Sequence, residues 1–247
     1  MRILISNDDG VEAEGIVELA TAIGSVADVT VVAPDKNRSA SSASLTLDSP
    51  FRCKQLENGF YQVSGTPCDC VHLGLHRIMQ SRVDMVIAGI NHGANLGDDV
   101  IYSGTVAAAM EGRSLGYPAV AISMASHQAK HLKSAARIML DLLQRIKDHP
   151  LDGNIILNIN VPDLPLEQIK GVKTTRLGSR HRADTIVKSQ DPRNNPIYWI
   201  GPPSQPQDVG QGTDFEAISA GYVSVTPLVV DLTAYQHLEQ ISKWLDN

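Results

Sequence analysis

The amino-acid sequence predicts a doubly wound α/β fold with a mainly parallel sheet, in one domain of 247 residues. Short continuous Val/Ile/Leu runs are typical of strands that are buried on both faces. Segments with helical spacing separate these runs, and strands that alternate with helices favour a parallel sheet with right-handed crossovers. A polar, proline-punctuated stretch follows Pro162 and indicates an added C-terminal element.

The predicted strands and helices alternate along the first part of the chain, residues 1–162, which is expected to form the α/β core. The strands are Arg2–Ser6, Val29–Ala33, Val83–Ala88, Ala119–Ser123 and Asn154–Asn160, and the helices are Gly15–Ile23, Asp69–Met79, Thr105–Leu115 and Leu132–Ile146.

Residues 163–247 are predicted to form a C-terminal extension. Residues 176–206 are rich in Arg, Asn and Pro, and they are interpreted as a projecting loop or β-hairpin with a short β-like piece at Ile197–Ile200. A strand at Val223–Val225 and a terminal helix close the chain. Connections inside compact domains rarely exceed ~12–15 residues, so this extension is expected to pack against another subunit.

Composition excludes several classes of function. The net charge of -6 and the pI near 5.7 argue against a DNA or RNA polymer as partner, because such proteins carry a basic excess. No apolar run approaches the ~20 residues that cross a membrane. An odd number of cysteines, three, disfavours a disulfide framework and favours the reducing cytoplasm. Cys68 and Cys70 are expected to be buried thiols on a helix.

Two adjacent carboxylates end the first predicted strand, in Asn7-Asp8-Asp9-Gly10. Ligands of open parallel sheets bind at the carboxyl ends of the strands. Side chains alternate along a strand, so Asp8 and Asp9 can face one site only if the chain turns after Asp8, which Gly10 permits. An ordinary turn with an Asp helix cap would use the same residues.

Further polar side chains follow the next two core strands. Ser39 lies in a hydroxyl-rich loop, and Asn91 lies in a loop with several glycines, next to His92. With Asp8 and Asp9 they supply anionic and neutral oxygens, a ligand set that suits one Mg²⁺ or Mn²⁺ ion rather than zinc. His92 is interpreted as a solvated loop histidine.

The tripeptide Ser103-Gly104-Thr105 opens an alanine-rich predicted helix. Free backbone N–H groups, a positive dipole end and two hydroxyls are the elements of a phosphate site, and Gly104 would let the backbone approach a phosphate closely. A helix cap without a ligand is the alternative interpretation. Carboxylates that hold a cation beside such a helix terminus indicate phosphoryl chemistry, with Asp8 or Asp9 orienting the attacking water.

The chain resembles the SurE family of survival-protein nucleotidases over almost its whole length. Six ordered segments carry the resemblance: Ile3–Gly10, Val32–Asp35 with Arg38 and Ser39, Gly65–Val71, Ala88–Asn95, Tyr102–Val106 and Asn158–Pro162. Ala88 replaces a serine of the family pattern, Ala94 stands where many relatives have proline, and His92 occupies a variable position. None of the three removes a proposed ligand.

The resemblance implies a Rossmann-like core with one divalent cation per subunit. The family's metal ligands correspond to Asp8, Asp9, Ser39 and Asn91, and its phosphate contacts correspond to Asn95, Ser103, Gly104 and Thr105. The implied activity is hydrolysis of nucleoside 5′- and 3′-monophosphates, and sometimes of short polyphosphate. The implied assembly is a homodimer or homotetramer with exchanged C-terminal elements.

Three other functions compete with this one. A phosphatase that passes through a phospho-aspartate, as haloacid-dehalogenase-like enzymes do, would carry Asp-x-Asp rather than adjacent carboxylates. A nucleotide sensor would bind without turnover. A dinucleotide-binding module would need Gly-x-Gly-x-x-Gly after the first strand, which is missing here. The basic residues Arg176, Arg180, His181 and Arg182 suggest either a subunit interface or a contact to a remote phosphate.

Overall fold

The structure, a computed structural model, describes residues 1–80, 83–180, 186–201 and 205–246. Within these residues the strands are β1 (Arg2–Ser6), β2 (Asp28–Pro34), β3 (Cys53–Gln55), β4 (Tyr61–Val63), β5 (Met85–His92), β6 (Ala119–Met124), β7 (Ile156–Val161), β8 (Val172–Thr174), β9 (Ile186–Gln190), β10 (Pro196–Ile200) and β11 (Val223–Leu228). The α-helices are α1 (Glu14–Gly24), α2 (Pro67–Leu73), α3 (Gly104–Glu111), α4 (Leu132–Asp148), α5 (Asp214–Ser219) and α6 (Leu238–Leu245).

One nine-stranded sheet in the described part of the chain confirms the predicted fold class. Its strand order is β3-β4-β2-β1-β5-β6-β7-β11-β8. Pairing is parallel from β4 through β7, whereas β3 and β11 run antiparallel to a neighbour. The chain moves from β1 to β2 on one side and returns to β5 on the other. The carboxyl ends of β1 and β5 therefore form the topological switch point, where such sheets bind ligands.

Helices cover both faces of the sheet. The helices α1 and α4 pack over one apolar cluster and α2 and α3 over another. On α4 the buried positions Leu132, Ala135, Met139, Leu143 and Ile146 recur at three- and four-residue spacing, so the helix presents one apolar stripe to the sheet. The alanines of α3 are buried, which allows that helix to lie close to β5 and β6.

Several predicted bounds are wrong by a few residues. The second predicted helix begins at Pro67, because Thr66 and Asp69 form a capping box there, and its last part, Gly74–Ile78, is a π-helical turn. The strand predicted at Val83–Ala88 runs to His92, so Asn91 lies on a strand end rather than in a loop. Strands β3, β4 and β8 and helix α5 were not predicted, because each is only three to six residues long.

The region after Pro162 both joins the sheet and projects from it. Strands β8 and β11 complete the sheet beside β7, whereas β9 and β10 pair with each other as the predicted hairpin. The predicted terminal helix is α6. No helix in the described ranges is long and apolar enough to span a membrane. The cytoplasmic location remains a prediction.

Candidate active site

The turn predicted after the first strand is present. Strand β1 ends at Ser6, and the Asn7 side chain closes the turn because its amide donates to Gly10 O at 2.8 Å and its Oδ1 accepts from Gly10 N at 3.2 Å. Gly10 has a φ of +110°, a conformation that favours glycine. Asp8 and Asp9 therefore lie at the switch point, and their side chains point in different directions.

Asp8 is directed at the N-terminus of α3. Its Oδ1 accepts a hydrogen bond from the Thr105 hydroxyl at 2.5 Å, and both residues are buried. Burial raises the pKa of Asp8 from 3.8 to about 6, the bond from Thr105 opposes that rise, and the charge of Asp9 adds to it. A cation bound here would stabilise the ionised form of Asp8, which is buried next to a second carboxylate.

Asp9 connects two of the other loops. Its Oδ2 accepts from the backbone N–H of His92 at 3.0 Å, and its Oδ1 accepts from the Asn37 amide at 3.4 Å. Asn37 Oδ1 in turn accepts from the backbone N–H and the hydroxyl of Ser39, at 2.8 and 2.7 Å. Asn37 thus bridges Asp9 and Ser39, which lie in loops after β1 and β2.

Asn91 lies at the end of β5, beside the turn that carries the two carboxylates. Ser6 pairs with Ala88 in the parallel register, and β5 continues past that pair to His92, so Asn91 lies at the same carboxyl edge of the sheet as the turn after β1. The Asn91 amide nitrogen donates to Gly93 O at 2.8 Å, and the amide oxygen is the atom left for a cation. The His92 ring has its Nε2 buried and without a hydrogen-bond partner among the described residues, so this histidine is not the solvated one predicted.

Ser103 and Gly104 begin α3 directly next to Asp8. The Ser103 hydroxyl caps the helix by accepting from Val106 N at 3.1 Å. A Cβ added to Gly104 would lie 2.8 Å from Asp8 Oδ2 and 2.9 Å from Ser41 Oγ, far inside normal contact. Glycine therefore allows the helix start to approach the carboxylate. The first N–H groups of a helix have no intrahelical acceptor and remain available to an anion.

The side chains fit a hard divalent cation. In the described part of the chain, no group of three or more His, Cys, Asp and Glu side chains is placed to hold a metal. A cation at Asp8 and Asp9 would therefore need neutral oxygen ligands as well, and Ser39 and Asn91 are the candidates identified from the sequence. Ser41 adds an orphaned polar atom at this place, since its Oγ is buried and has no hydrogen-bond partner in the described residues. Such an atom indicates a site that an ion, water or ligand completes.

Asn95 is buried, as Asp8 and Thr105 are. It is 7% exposed, and its amide nitrogen donates to Ser123 Oγ at 2.8 Å. The structure places it on the loop between β5 and α3, in contact with β6 and β7 rather than with the Asp8–Asp9 pair.

The C-terminal extension supports the same loop. Asp214 is fully buried, and its carboxylate accepts from Gly97 N at 2.7 Å and from Gly178 N at 2.9 Å. Arg180 donates its backbone N–H to Asp98, pairs with Asp99 at 3.5 Å and lies over the Phe215 ring at 5.0 Å.

The residues of the predicted basic cluster therefore do not share one role. Arg180 belongs to the support of this loop, whereas Arg176 forms an exposed ion pair with Asp208. His181 and Arg182 lie outside the described residues.

The cysteines behave as predicted and take no part in the site. Cys68 and Cys70 are buried on α2, and burial raises the pKa of Cys68 to about 12 and that of Cys70 well above 9.0. Both thiols therefore remain protonated at neutral pH.

Asn37, Ser41 and Asp214 were not identified from the sequence. Asn37 and Ser41 lie in a loop whose hydroxyl-rich composition was noted but whose contacts depend on the fold. Asp214 is 117 residues from its partner Gly97, so no local pattern connects them.

Comparisons with known proteins agree with this architecture. The family model for the survival protein SurE matches residues 3–184. Proteins named 5′-nucleotidase SurE from Aeromonas hydrophila and Methylococcus capsulatus are 58% and 55% identical, over 100% and 99% of this chain and 99% and 98% of theirs. The crystal structure of the SurE protein from Aquifex aeolicus has a TM-score of 0.88 at 41% identity, with 100% of both chains covered.

The fold and the site define an α/β protein of the Rossmann-like class, with an oxygen-rich acidic site at the switch point of a mainly parallel sheet. Within that class the extent and identity of the matches leave no other assignment. The chain belongs to the SurE family.

Proposed function

We propose that this chain is a 5′-nucleotidase in the broad sense, a cation-dependent phosphatase that releases phosphate from nucleoside 5′- and 3′-monophosphates and from short polyphosphate. The observation that carries the proposal is the position of the Asp8 carboxylate at the N-terminus of α3. The Thr105 hydroxyl holds it there by donating a hydrogen bond of 2.5 Å to Asp8 Oδ1. Full-length relatives at 55–58% identity are named 5′-nucleotidases, which supports the substrate class.

Asp8, Asp9, Ser39 and Asn91 would hold the cation, and Mg²⁺ or Mn²⁺ suits their oxygen atoms. When bound, such an ion supplies positive charge against the ester phosphate and lowers the pKa of a coordinated water. Asn37 contributes indirectly because it holds Asp9 and Ser39 in one arrangement.

The chain's own groups have three tasks. The backbone N–H groups at the start of α3, around Ser103, Gly104 and Thr105, bind phosphate oxygens, and the helix dipole favours their negative charge. The Thr105 hydroxyl orients Asp8, and one of the two aspartates orients the attacking water. Asn95 supplies an amide N–H to the phosphate. Donors that are already in position stabilise the charge that develops during hydrolysis.

A panel of substrates and cations tests this proposal. Phosphate release is measured from all nucleoside monophosphates and from polyphosphate, in EDTA, Mg²⁺, Mn²⁺ and Zn²⁺. We expect release from monophosphates with Mg²⁺ or Mn²⁺ and none in EDTA. Asp8→Asn and Asp9→Asn should each lose this activity while keeping the wild-type circular dichroism spectrum.

The same panel distinguishes the alternatives. Binding of a nucleotide without phosphate release would identify a sensor, and an acyl-phosphate trapped on Asp8 would identify the phospho-aspartate route. Normal turnover and cation dependence in both aspartate variants would refute the site.

The assembly that we propose is a homodimer or homotetramer with exchanged C-terminal elements. Helix α6 leaves apolar side chains exposed in one stripe, with Leu238 and Ile241 about half exposed and Trp244 and Leu245 70% exposed or more. An open cleft of about 850 Å³, lined largely by apolar side chains of α4, β7 and β11, holds none of the active-site residues. Surfaces of this kind are typically covered by another protein chain.

Sedimentation velocity tests the assembly. Wild type should sediment as a dimer or larger, and Ile241→Asp combined with Trp244→Asp should shift it to monomer, whereas Ser242→Asp on the same helix should not. A strictly monomeric wild type with full activity at micromolar concentration would contradict the proposal.

A further inference from the structure

Four hydrogen bonds hold the loop residue Asn95 against strands β6 and β7. Its backbone N–H donates to Asn160 Oδ1 at 2.8 Å, and its backbone carbonyl accepts from the amides of Asn158 and Asn160 at 2.9 and 3.0 Å. Its side-chain amide donates to Ser123 Oγ at 2.8 Å. The N–H, the carbonyl oxygen and one amide hydrogen of this loop residue are therefore all fixed by the sheet.

The two asparagines lie where apolar residues would be expected. Asn158 and Asn160 are alternate residues of β7, so they share one face of the strand, and both are fully buried. Helix α3 contacts this strand, and Ile156, two positions before Asn158, belongs to the apolar cluster under α2 and α3.

Buried amides cost free energy that apolar side chains of the same size avoid. The side-chain oxygen of Asn158 has no hydrogen-bond partner within the described residues, which adds to that cost. Packing of the core therefore does not explain these residues. What they do provide is a clamp on the backbone of one residue, Asn95.

We propose that Asn158 and Asn160 are positioning residues that fix Asn95 so that its remaining amide N–H points at the substrate phosphate. One hydrogen of the Asn95 side-chain amide is donated to Ser123 Oγ. The second hydrogen is the one that Asn158 and Asn160 orient toward the phosphate. This rests on the proposed function, in which Asn95 binds phosphate. Aspartate could not replace either asparagine, because its carboxylate would face the Asn95 carbonyl oxygen without a proton to donate.

Phosphate affinity is the quantity that the clamp should control. We would measure the inhibition constant of inorganic phosphate together with KM, kcat, the cation activation constant and the melting temperature of the purified full chain. Asn160→Asp should raise KM and the phosphate inhibition constant about tenfold or more, the loss typical of a misplaced donor to a charged group. The cation activation constant should stay within about twofold of wild type, because the hydrogen bonds described for Asn158 and Asn160 are made to Asn95 and not to a proposed cation ligand.

Asn158→Leu separates positioning from folding. Leucine keeps the approximate size of the side chain and removes both the donor to Asn95 and the unpaired oxygen. This variant should melt at the wild-type temperature or above it and still raise the phosphate inhibition constant about tenfold. Asn58→Asp is the matched control for charge, since it makes the same change in an exposed turn between β3 and β4 and should leave all constants unchanged.

The outcomes separate this proposal from the proposed function. If Asn95→Ala raises the phosphate inhibition constant while Asn158→Leu and Asn160→Asp leave it within twofold of wild type, the clamp is overturned and the function stands. If Asn95→Ala has no effect while wild type releases phosphate, the phosphate contact of Asn95 and the clamp are overturned and the phosphatase function stands. If wild type releases no phosphate from any ester, the proposed function and the clamp both fail. Raised inhibition constants in both clamp variants, with the melting temperature of Asn158→Leu retained, support positioning.

Discussion

Gly104→Ala tests how closely the start of α3 must approach Asp8. The added Cβ would lie 2.8 Å from both Cβ and Oδ2 of Asp8, and 2.9 Å from the Ser41 hydroxyl. Ordinary contacts between such atoms are about 3.5 Å or longer, so Asp8 or the helix must shift by about 0.7 Å. The sequence suggested that Gly104 gives room to a phosphate, but in the structure the added atom meets Asp8 first.

Two opposite effects set the size of the stability change. Overpacking costs about 1–3 kcal/mol, whereas replacing a helical glycine by alanine gains about 0.5–1 kcal/mol. The net loss is on the order of 0.5–2 kcal/mol, or about 1–8 °C in melting temperature for a chain of this length. Turnover should fall more steeply, by about 10- to 100-fold, because a displacement near 1 Å in a catalytic group can cost that much.

Gly24→Ala is the matched control, because Gly24 ends α1 and a Cβ there would meet nothing within 4 Å. We expect it to melt at or above the wild-type temperature with unchanged kinetics. For Gly104→Ala, calorimetry and initial rates across a cation titration should show a lower kcat and a weaker cation activation, with a smaller change in KM. Wild-type kcat and cation activation in Gly104→Ala would refute the argument that α3 must approach Asp8 this closely. A change in KM alone would instead indicate that the added methyl group crowds the substrate phosphate rather than Asp8.

Three further predictions concern contacts around the site. Thr105→Ala should lower kcat by about 10- to 1,000-fold because Asp8 loses its orienting hydroxyl, and Thr105→Ser should restore most of it in the same rate assay. Asp214→Asn should lower the free energy of unfolding in urea by about 1–3 kcal/mol, since a buried carboxylate that accepts three backbone N–H groups gains an amide that cannot accept them all. Asp69→Asn should lower the melting temperature at pH 7, and the difference from wild type should shrink as the pH is lowered below 3.8. Burial acts to raise the pKa of Asp69, but hydrogen bonds from two threonines outweigh it and keep that pKa below the ordinary 3.8. The stabilisation is therefore complete above 3.8 and is lost as the pH falls through the folded-state value.

The central sheet could be predicted because its strands leave strong local patterns. Strand β1 was predicted with its observed bounds, and the bounds of the other long core strands differ from the prediction by at most four residues. Strands β3 and β4 have only three residues each, which is too short for a period to be recognised. Helix α5 has six residues, and its capping Thr213 was not read as a helix start.

The candidate site was predicted as a set of residue types, and its connections came only from the fold. Asp8, Asp9 and Thr105 belong to visible motifs, and the structure brings Asp8 and Thr105 into direct contact. The bridge through Asn37 depends on where the loop after β2 meets the turn after β1. Two asparagines in a buried strand were a signal that could have been used, because asparagine is depleted in strands and its burial requires a partner.

The loop between β5 and α3 connects the predicted core with the C-terminal extension. On one side β7 holds Asn95 through two buried asparagines, and on the other Asp214 of α5 holds Gly97. The start of α3, where Ser103 caps the helix beside Asp8, follows only a few residues later. A rigid helix start is useful to a phosphate site because donors that are already in place need no reorganisation when charge develops. The extension therefore does more than the assembly proposed for it, since the same residues that fold it onto the sheet also hold the loop that leads to the helix proposed to bind phosphate.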